Sequence, residues 1–326
     1  MRPLRILTWH VHGNYLWYLS HVPHDIFLPV KPGRPPGYGG RGQSFTWPDN
    51  VHEVPADAVR DLDLDCVVTQ SHDNWLVDRH EVLSPAQLRR PAIHVEHDPP
   101  RASPTDTPHP VDDPEALLVH VTRFNDLMWD SGRTPTRVIE HGVAVPEGVR
   151  YSGELDRGIV VVNGLRRRGR RLGADVFERA RAEVPLDLVG MFAEEAGGLG
   201  EVPPPQLAGF MARYRFFFHP VRYTSLGLAA CEAMTIGLPV VALATTEMAT
   251  VVENGVSGWI DTDTGRLLER MRALLADPAE ARRLGEGARR TALERFSIRR
   301  FVADWDAALR EVAGRAAIPA GHGGAR

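Results

Sequence analysis

A single carboxylate, Glu232, stands within an otherwise apolar helical pattern, in the stretch "YTSLGLAACEAM" over 223–234. The strand pattern "RFFFHP" leads into this stretch through a turn that contains Gly227. A helix that begins at such a turn points its first backbone N–H groups outward, here at Gly227 and Leu228, where they bind phosphates and other anions. A buried carboxylate needs hydrogen-bond donors, which ribose hydroxyls would supply. The pattern indicates either a nucleotide site or a structural glutamate bonded to backbone or to arginine.

Composition narrows the class of protein. The 326 residues fit two domains of ~150 residues each better than one core. A net charge of −4 argues against nucleic-acid binding. Cys66 and Cys231 lie far apart in apolar segments, which predicts buried reduced thiols and a cytoplasmic location. No apolar run reaches the ~20 residues of a transmembrane helix, and we see no signal-peptide pattern.

The order of apolar and amphipathic segments along the chain predicts an α/β fold. Apolar segments of strand length alternate with amphipathic helical segments, as in doubly wound parallel sheets. The predicted strands are 4–9, 26–30, 64–71, 91–97 and 117–122, followed by 136–143, and then 158–164, 186–191, 215–220, 238–244 and a last strand ending near 260. A Pro/Gly-rich loop spans 31–50 and contains no phosphate-binding motif. A helical region is expected from Thr264 to about Val312.

A longer motif surrounds Glu232. The segment "HPVRYTSLGLAACEAMTIGLPVV" resembles the signature of retaining GT-B glycosyltransferases of the GT4 type (glycosyl transferases group 1), which is a strand, a Pro, E-G-F-G-L-x-x-x-E-A-M and G-x-P-V-V. The matching residues are Pro220, Gly227, Leu228, Glu232, Ala233, Met234, Gly237, Pro239, Val240 and Val241. Similar family patterns lie at "RVIEHGVAVP", "VVVNGLRRRGRRL" and "TVVENGVSGW". The resemblance is strong over about 136–312 and weak over 1–135.

The resemblance implies a GT-B fold, in which two Rossmann-like doubly wound domains face a central cleft. The expected division is 1–148 for the acceptor-side domain, 149–296 for the nucleotide-sugar-binding domain, 297–312 for a helix that crosses back, and 313–326 for a disordered tail. The implied activity is transfer of a sugar from a nucleotide-diphosphate donor to an unknown acceptor (a glycan, a lipid-linked molecule or a small molecule), with retention of configuration. No obligatory metal is expected. The implied location is the cytoplasm, including a peripheral contact at the inner face of the membrane.

The resemblance assigns donor-site roles residue by residue. Glu232 corresponds to the carboxylate that holds ribose hydroxyls, and Gly227 and Leu228 correspond to diphosphate contacts. The family's first Glu falls on Thr224, so the pair of carboxylates is reduced to one; a later family Glu falls on Thr250. Thr224 and Ser225 are therefore donor-side candidates, with capping of the helix as the alternative explanation of their presence.

An arginine run follows the strand that ends at Gly164, and it comprises Arg166, Arg167, Arg168, Arg170 and Arg171. Arg168 best matches the family's basic residue, although its spacing is one residue short. That match implies a contact with the donor diphosphate and stabilisation of the leaving group. Gly164 and Arg167 are assigned to donor binding with it. A solvated helix start or a contact to anionic lipid is the alternative for the run.

The histidines give weaker signals. "HVH" over 10–12 and "HVEH" over 94–97 fit neither a metalloprotease helix nor a Cys/His zinc site, so no metal site is predicted. In an extended strand His94 and Glu96 share one face and His97 points the other way. The resemblance gives His97 a role near the sugar and acceptor, with a structural histidine as the alternative. Gly13 resembles the family's glycine turn near the acceptor and phosphate.

Two other functions remain open from the sequence. One is a sugar-nucleotide epimerase on the same scaffold, which product analysis with donor alone would distinguish from a transferase. The other is a degenerate protein that binds a nucleotide sugar or a partner without turnover. Thr224 in place of the family's first Glu favours this second alternative.

Overall fold

Two parallel sheets organise the chain, one in each of two units. The computed structural model describes residues 2–315. The first unit comprises the chain up to Glu140 together with the residues from Arg299 onward, and the second unit is His141–Ile298. The division falls eight residues before the predicted one, 148 against 140. Each unit is described by itself.

The first unit contains seven strands in the order β3-β2-β1-β4-β5-β6-β7. They are β1 Arg5–Thr8, β2 Asp25–Val30, β3 Val51–Pro55, β4 Cys66–Thr69, β5 Ala92–Glu96, β6 Leu117–His120 and β7 Thr136–Val138. Every neighbouring pair is parallel. The chain order reverses between β1 and β4, and ligands of such sheets bind beyond the carboxyl ends at this point.

One strand of this sheet, β3, was not predicted. Only Val51 and Val54 are buried in it, because it lies at the edge of the sheet beside β2 alone. An edge strand buries few side chains, so its sequence lacks the apolar run that identified the other strands.

The helices of the first unit are mostly short. They are α1 Gly13–Leu19, α2 Arg79–Val82, which continues a π-helical turn over Asn74–Asp78, and α3 Arg123–Met128. The long terminal helix α11, Ile298–Arg315, belongs to this unit from Arg299. Its buried face includes Trp305, whose Nε1 donates to the Tyr15 hydroxyl at 3.2 Å. The predicted tail 313–326 begins inside α11, and its residues after 315 lie outside the described part of the chain.

The second unit contains five parallel strands in the order β12-β11-β10-β8-β9. They are β8 Leu155–Val161, β9 Leu186–Val189, β10 Tyr214–His219, β11 Val240–Leu243 and β12 Gly258–Asp261. The central strand β10 is buried along its whole length, with Phe216, Phe217 and Phe218 in the core. The order reverses between β8 and β10, which makes this pair the switch point of the sheet.

Seven helices of the second unit surround this sheet in the described residues. They are α4 Leu165–Arg168, α5 Ala174–Arg181, α6 Pro204–Met211, α7 Leu228–Ile236, α8 Met248–Val251, α9 Thr264–Ala276 and α10 Pro278–Arg295. The predicted region 264–312 is three helices. Asp277 ends α9 and caps α10, because its carboxylate accepts from the N–H groups of Ala279 and Glu280, both at 3.0 Å. None of the described helices is long and apolar enough to span a membrane.

Candidate functional site

Two turns at the carboxyl edge of the second sheet carry the predicted donor-site residues. The first turn follows β8 and contains Gly164, which has a left-handed φ of 58° and begins α4. Arg167 and Arg168 lie in that helix. The second turn follows β10 and leads to Gly227, the N-cap residue of α7. Since β8 and β10 are hydrogen-bonded neighbours, the sheet places both turns side by side at the switch point.

Direct contacts join the two turns. The backbone N–H groups of Arg222 and Tyr223 donate to the Arg171 carbonyl oxygen at 3.0 and 3.1 Å. The Arg222 guanidinium also pairs with Asp175 at the start of α5. Gly173 is essential to this approach, because a Cβ there would lie 1.9 Å from the Pro220 carbonyl oxygen and its φ is 79°. These contacts bring the predicted arginine run close to the turn that leads to Gly227.

The N-cap residue of α7 is Gly227, which has no side chain to cap the helix. Thr224 and Ser225 precede it by three and two residues, so neither occupies the N-cap position. Gly227 has an extended backbone, with φ −74° and ψ 139°. The first N–H groups of a helix have no intrahelical partner, and they suit an anion. Thr224 is half-buried and Ser225 is buried in the preceding turn.

Glu232 lies in the second turn of α7 and is only 8% exposed. Its neighbours Cys231, Ala233 and Met234 are completely buried. A carboxylate in such surroundings requires hydrogen-bond donors to remain ionised. The position one turn inside the helix start matches the sequence-based prediction for this residue.

The arginines of the run differ in the groups that their side chains contact. Arg167 forms a bidentate ion pair with Glu195 and stacks on the Phe192 ring, 3.4 Å from its centroid. Arg166 donates to the Glu195 carbonyl oxygen at 2.8 Å. The pKa of Glu195 is lowered by the hydrogen bond from Arg167. Arg168 instead folds back over Gly164, with its Cδ 3.8 Å from the position of a Cβ there.

Sequence reasoning missed two buried polar residues at this edge of the sheet. His219 ends β10 and lies 3.9 Å from the Cβ position of Gly227. Burial lowers the pKa of His219 to about 4, so its imidazole is neutral at pH 7. Glu247 follows β11, is 2% exposed and accepts the Thr250 hydroxyl at 2.8 Å. His219 is the last residue of β10 and Glu247 lies four residues after the end of β11, so inspection of every predicted strand end would have found them.

The first unit carries the other two predicted residues. His97 directly follows β5, and its ring contacts the rings of His12 and Tyr15, with centroids 4.1 and 4.6 Å apart. Gly13 follows His12 and begins α1. The structure therefore places His97 beside the turn that contains Gly13. They belong to a different unit from the donor-side residues.

A further group in the first unit has the composition of a metal site. His72, His94, Glu96 and His109 each offer one ligand atom, and these atoms lie within 4.8 Å of one another. The sequence separations of these residues fit no linear metal motif, which is why the sequence predicts no such site. Imidazole and carboxylate donors together suit transition-metal ions.

Comparison with known proteins finds a family profile that matches part of the second unit. The profile of glycosyl transferases group 1 matches residues 194–291. D-inositol 3-phosphate glycosyltransferase 1 of Catenulispora acidiphila is 40% identical over 88 residues, which is 26% of this chain and 21% of the relative. Alpha-maltose-1-phosphate synthase of Mycobacterium tuberculosis is 32% identical over 133 residues, which is 38% of this chain and 33% of the relative. The aligned parts thus span a fifth to a third of these curated relatives.

Solved structures extend the similarity to both units at the level of the fold. Sucrose-phosphate synthase from Thermosynechococcus elongatus has a TM-score of 0.70 at 17% identity, covering 96% of this chain and 100% of that one. Anabaena HepE in complex with UDP has a TM-score of 0.66 at 16% identity, covering 95% of this chain and 100% of that one. The predicted α/β fold with two Rossmann-like sheets is confirmed. The profile of glycosyl transferases group 1 thus matches residues 194–291 of this chain, and its two units share the fold of these solved structures.

Proposed function

We propose that this protein is a glycosyltransferase that moves a sugar from a nucleotide-diphosphate donor to an acceptor with retention of configuration. One observation carries the proposal. The Gly227–Glu232 helix start lies beside the arginine turn at the switch point of the second sheet, within the segment that matches the family. The curated relatives named above are a glycosyltransferase and a sugar-phosphate synthase, which supports this class of reaction.

The arrangement suits a diphosphate. The N-cap residue of α7 is a glycine, and the backbone N–H groups and dipole of the helix favour negative charge at this end. Arg168 lies in the adjoining turn, where a permanent cation would stabilise the charge that develops on the leaving diphosphate. Gly164 and Gly227 have no side chain, so the backbone at both turns is open to a close approach by phosphate oxygens.

The nucleoside would lie deeper along α7. Ionised Glu232 is an acceptor only, so it matches ribose hydroxyls, which are donors. Thr224 and Ser225 would face the sugar with hydroxyl groups where relatives carry a carboxylate. Uridine is the first base to test, because the similar Anabaena structure is a complex with UDP.

The acceptor side is assigned to the first unit. His97 would lie near the sugar and acceptor, and the Gly13 turn would let the acceptor approach the backbone. The rings of His12 and Tyr15 hold the His97 ring in place. We propose that transfer itself requires no metal ion.

The loss of one family carboxylate supports a second candidate, a protein that binds the nucleotide sugar without turnover. Thr224 cannot supply the negative charge of a carboxylate to the donor sugar. Assays for transfer, for donor hydrolysis and for epimerisation of the donor alone separate the transferase, the binder and the epimerase.

A thermal-shift panel tests the donor site. UDP, GDP, ADP and dTDP sugars would be added to the wild type, to Glu232→Ala and to a matched control, Glu286→Ala, whose carboxylate is exposed on α10. A ligand at a hundred times its Kd adds ~2.7 kcal/mol to stability, which is readily measured. We expect one base to stabilise the wild type and the control. Loss of hydrogen bonds to a charged group should weaken binding to Glu232→Ala by about 1.5–3 kcal/mol.

Two results would count against the proposal. If no nucleotide sugar stabilises the folded wild type, the donor site is wrong. If Glu232→Ala folds normally and binds with unchanged affinity, Glu232 does not hold the ribose. Binding without transfer or hydrolysis over a panel of acceptors would favour the binding protein.

A further inference from the structure

The carboxyl ends of β4 and β5 hold a cluster of imidazoles around one carboxylate. His94 and Glu96 are two residues apart on β5 and therefore lie on one face of the sheet. His72 follows the neighbouring strand β4, and His109 comes from the segment between β5 and β6. The Nε2 atoms of His72 and His109 lie 2.9 and 3.1 Å from Glu96 Oε2. Three separate segments thus converge on a single oxygen.

Three of the four side chains in this cluster are buried. His94, Glu96 and His109 are at most 6% exposed, whereas His72 is half-exposed. Burial alone would raise the pKa of Glu96, but hydrogen bonds from His109 and His72 hold it well below its usual range. Glu96 Oε1 accepts the Asp98 N–H at 2.8 Å, which fixes the orientation of the carboxylate.

One nitrogen of the cluster is unsatisfied. The Nε2 atom of His94 is buried and has no hydrogen-bond partner within the described residues. On the other side of the ring, Nδ1 lies 2.8 Å from the Thr69 hydroxyl oxygen, and that hydroxyl donates to the Ile93 carbonyl at 3.4 Å. In the tautomer that donates its Nδ1–H to this hydroxyl, the lone pair of the neutral ring lies on Nε2. A buried nitrogen lone pair without a donor is unusual in proteins and is suited to a metal ion.

The tautomer of His109 differs. Its Nδ1 accepts the Val111 backbone N–H at 3.0 Å, so its proton lies on Nε2 and is donated to Glu96. In that tautomer His109 orients the carboxylate and cannot coordinate an ion through Nε2. His72 also contacts Glu96 Oε2 through Nε2, but no hydrogen bond within the described residues fixes its Nδ1, so the ring proton can move to Nδ1 and leave Nε2 to an ion. The Trp129 ring packs against His109, with centroids 4.8 Å apart, and shields that side of the cluster. His109 is thus a positioning residue rather than a ligand.

The distances fit one small ion. The ring centroids of His72 and His94 are 5.9 Å apart. Two imidazoles bound at ~2.0 Å to one tetrahedral ion have centroids about 5 Å apart, so a displacement of about 1 Å would complete the site. Two histidines and one carboxylate form a set found in zinc and non-haem iron proteins, whereas magnesium and calcium prefer oxygen ligands. Half-exposed His72 leaves a route of entry from solvent.

We propose that the first unit binds a divalent transition-metal ion of the zinc class through His72 Nε2, His94 Nε2 and Glu96 Oε2, with a fourth position open to water or another ligand. Thr69 and His109 orient His94 and Glu96. The site lies on β4 and β5 of the first unit and does not depend on the proposed donor site in the second unit. Glu96 immediately precedes His97, so the ion would also fix the chain that carries the predicted acceptor-side histidine.

Metal titration of the full chain tests this proposal. Chelator-stripped protein would be titrated with Zn²⁺ in a calorimeter, and the bound metal counted after gel filtration. We expect one equivalent, bound in the micromolar range or tighter. His94→Gln and Glu96→Gln should abolish that equivalent, and Thr69→Val should weaken it 10–100-fold, the usual loss for a residue that orients a ligand. His52→Gln, an exposed histidine on β3, is the control and should bind like the wild type.

A spectrum of the wild type keeps the test decisive if the variants fail to fold. Co²⁺ in a four- or five-coordinate site absorbs visible light far more strongly than hydrated Co²⁺, and Zn²⁺ should displace it in equal amount. The proposal is overturned if folded wild type binds neither Zn²⁺ nor Co²⁺ stoichiometrically. It is equally overturned if well-folded Glu96→Gln binds as the wild type does, because the ion is then held elsewhere.

Discussion

The two switch points of this protein have the same topology and opposite chemistry. In the first unit, the turn after β1 contains His10, His12 and Gly13. The side-chain amide of Gln70, which follows β4, links this turn to β4, because its Nε2 donates to the Thr8 hydroxyl at 3.1 Å and to the Trp9 carbonyl at 3.0 Å. In the second unit, the turn after β8 carries the arginine run and contacts the turn after β10. The topology of a doubly wound sheet determines where a ligand binds, while the residues in the turns after β1 and β8 determine the charge of the ligand that each unit suits.

The difference in charge has a physical cause. Burial lowers the pKa of His12, so this imidazole is uncharged at neutral pH. Arginine keeps its charge under all ordinary conditions. The turn at the second switch point is therefore suited to an anion such as a diphosphate, whereas His12 adds no positive charge to the turn at the first. Three predictions, from the largest expected effect to the smallest, test this contrast.

Replacement of the glycine in the crowded turn should have the largest effect. Gly173→Ala would place a Cβ against the Pro220 carbonyl at a φ of 79°, so the two turns of the second unit must separate. We expect a loss of about 4 kcal/mol in the free energy of unfolding, measured by urea denaturation, since both strain and overlap contribute. Nucleotide binding should weaken as well.

Two controls give this prediction its meaning. Gly164→Ala has the same left-handed backbone, with φ 58° and ψ 39°, and the nearest atom to its Cβ position lies 3.8 Å away, so it should cost only about 1 kcal/mol. Gly13→Ala, in the equivalent turn of the first unit, meets only the His10 side chain at 3.0 Å and should cost less than Gly173→Ala. Equal losses at Gly173 and Gly164 would mean that the close approach to Pro220 is unimportant.

Neighbouring arginines should differ in their effect on transfer. Arg168→Ala should lower kcat about 100-fold, the usual loss for one group that stabilises a developing charge. Arg167→Ala should lower kcat less than tenfold, because that side chain is engaged with Glu195 and Phe192. Steady-state kinetics of sugar transfer would measure both. Equal losses would place the whole arginine run, rather than Arg168, at the diphosphate.

Acid should destabilise the second unit through His219. Its pKa is about 4 in the folded state because it is buried, and about 6.5 in the unfolded chain. The unfolded state therefore binds more protons between these values, and stability falls as the pH falls. From pH 7 to 5 this residue should account for about 2 kcal/mol of lost stability.

Unfolding of wild type and His219→Gln at both pH values measures this contribution. Glutamine keeps a polar side chain and cannot be protonated in this range, so the variant should lose less stability than the wild type on acidification. The same pH dependence in both proteins would show that His219 is not neutral in the folded state.

Much of the fold could be predicted from local sequence. The apolar runs of β1, β2, β4, β5 and β6 are confirmed as strands, as is the sequence of β10, turn and α7. These elements have strong periodicity, and burial on both faces makes their strands continuous apolar runs. The edge strand β3 and the break between α9 and α10 were missed, because each depends on a few residues with a weak pattern.

The residues of the candidate donor site also differ in whether local sequence could identify them. Glu232, Gly227 and Leu228 are close in sequence, so a motif of one strand, one turn and one helix identified them together. His219 and Glu247 follow different strands, β10 and β11, and only the sheet brings their carboxyl ends to one edge. Their single-residue patterns carry no signal of their own.

The sequence by itself determined the alternation of strands and helices, the place of the donor-side turn and the absence of one family carboxylate, since each depends on residues within one or two turns of the chain. The tertiary structure alone decided that His72, His94, Glu96 and His109 converge. Parallel pairing of β4 and β5 brings together residues more than twenty positions apart, and the chain between β5 and β6 adds His109. Such contacts follow from strand register and burial, which no local spacing encodes.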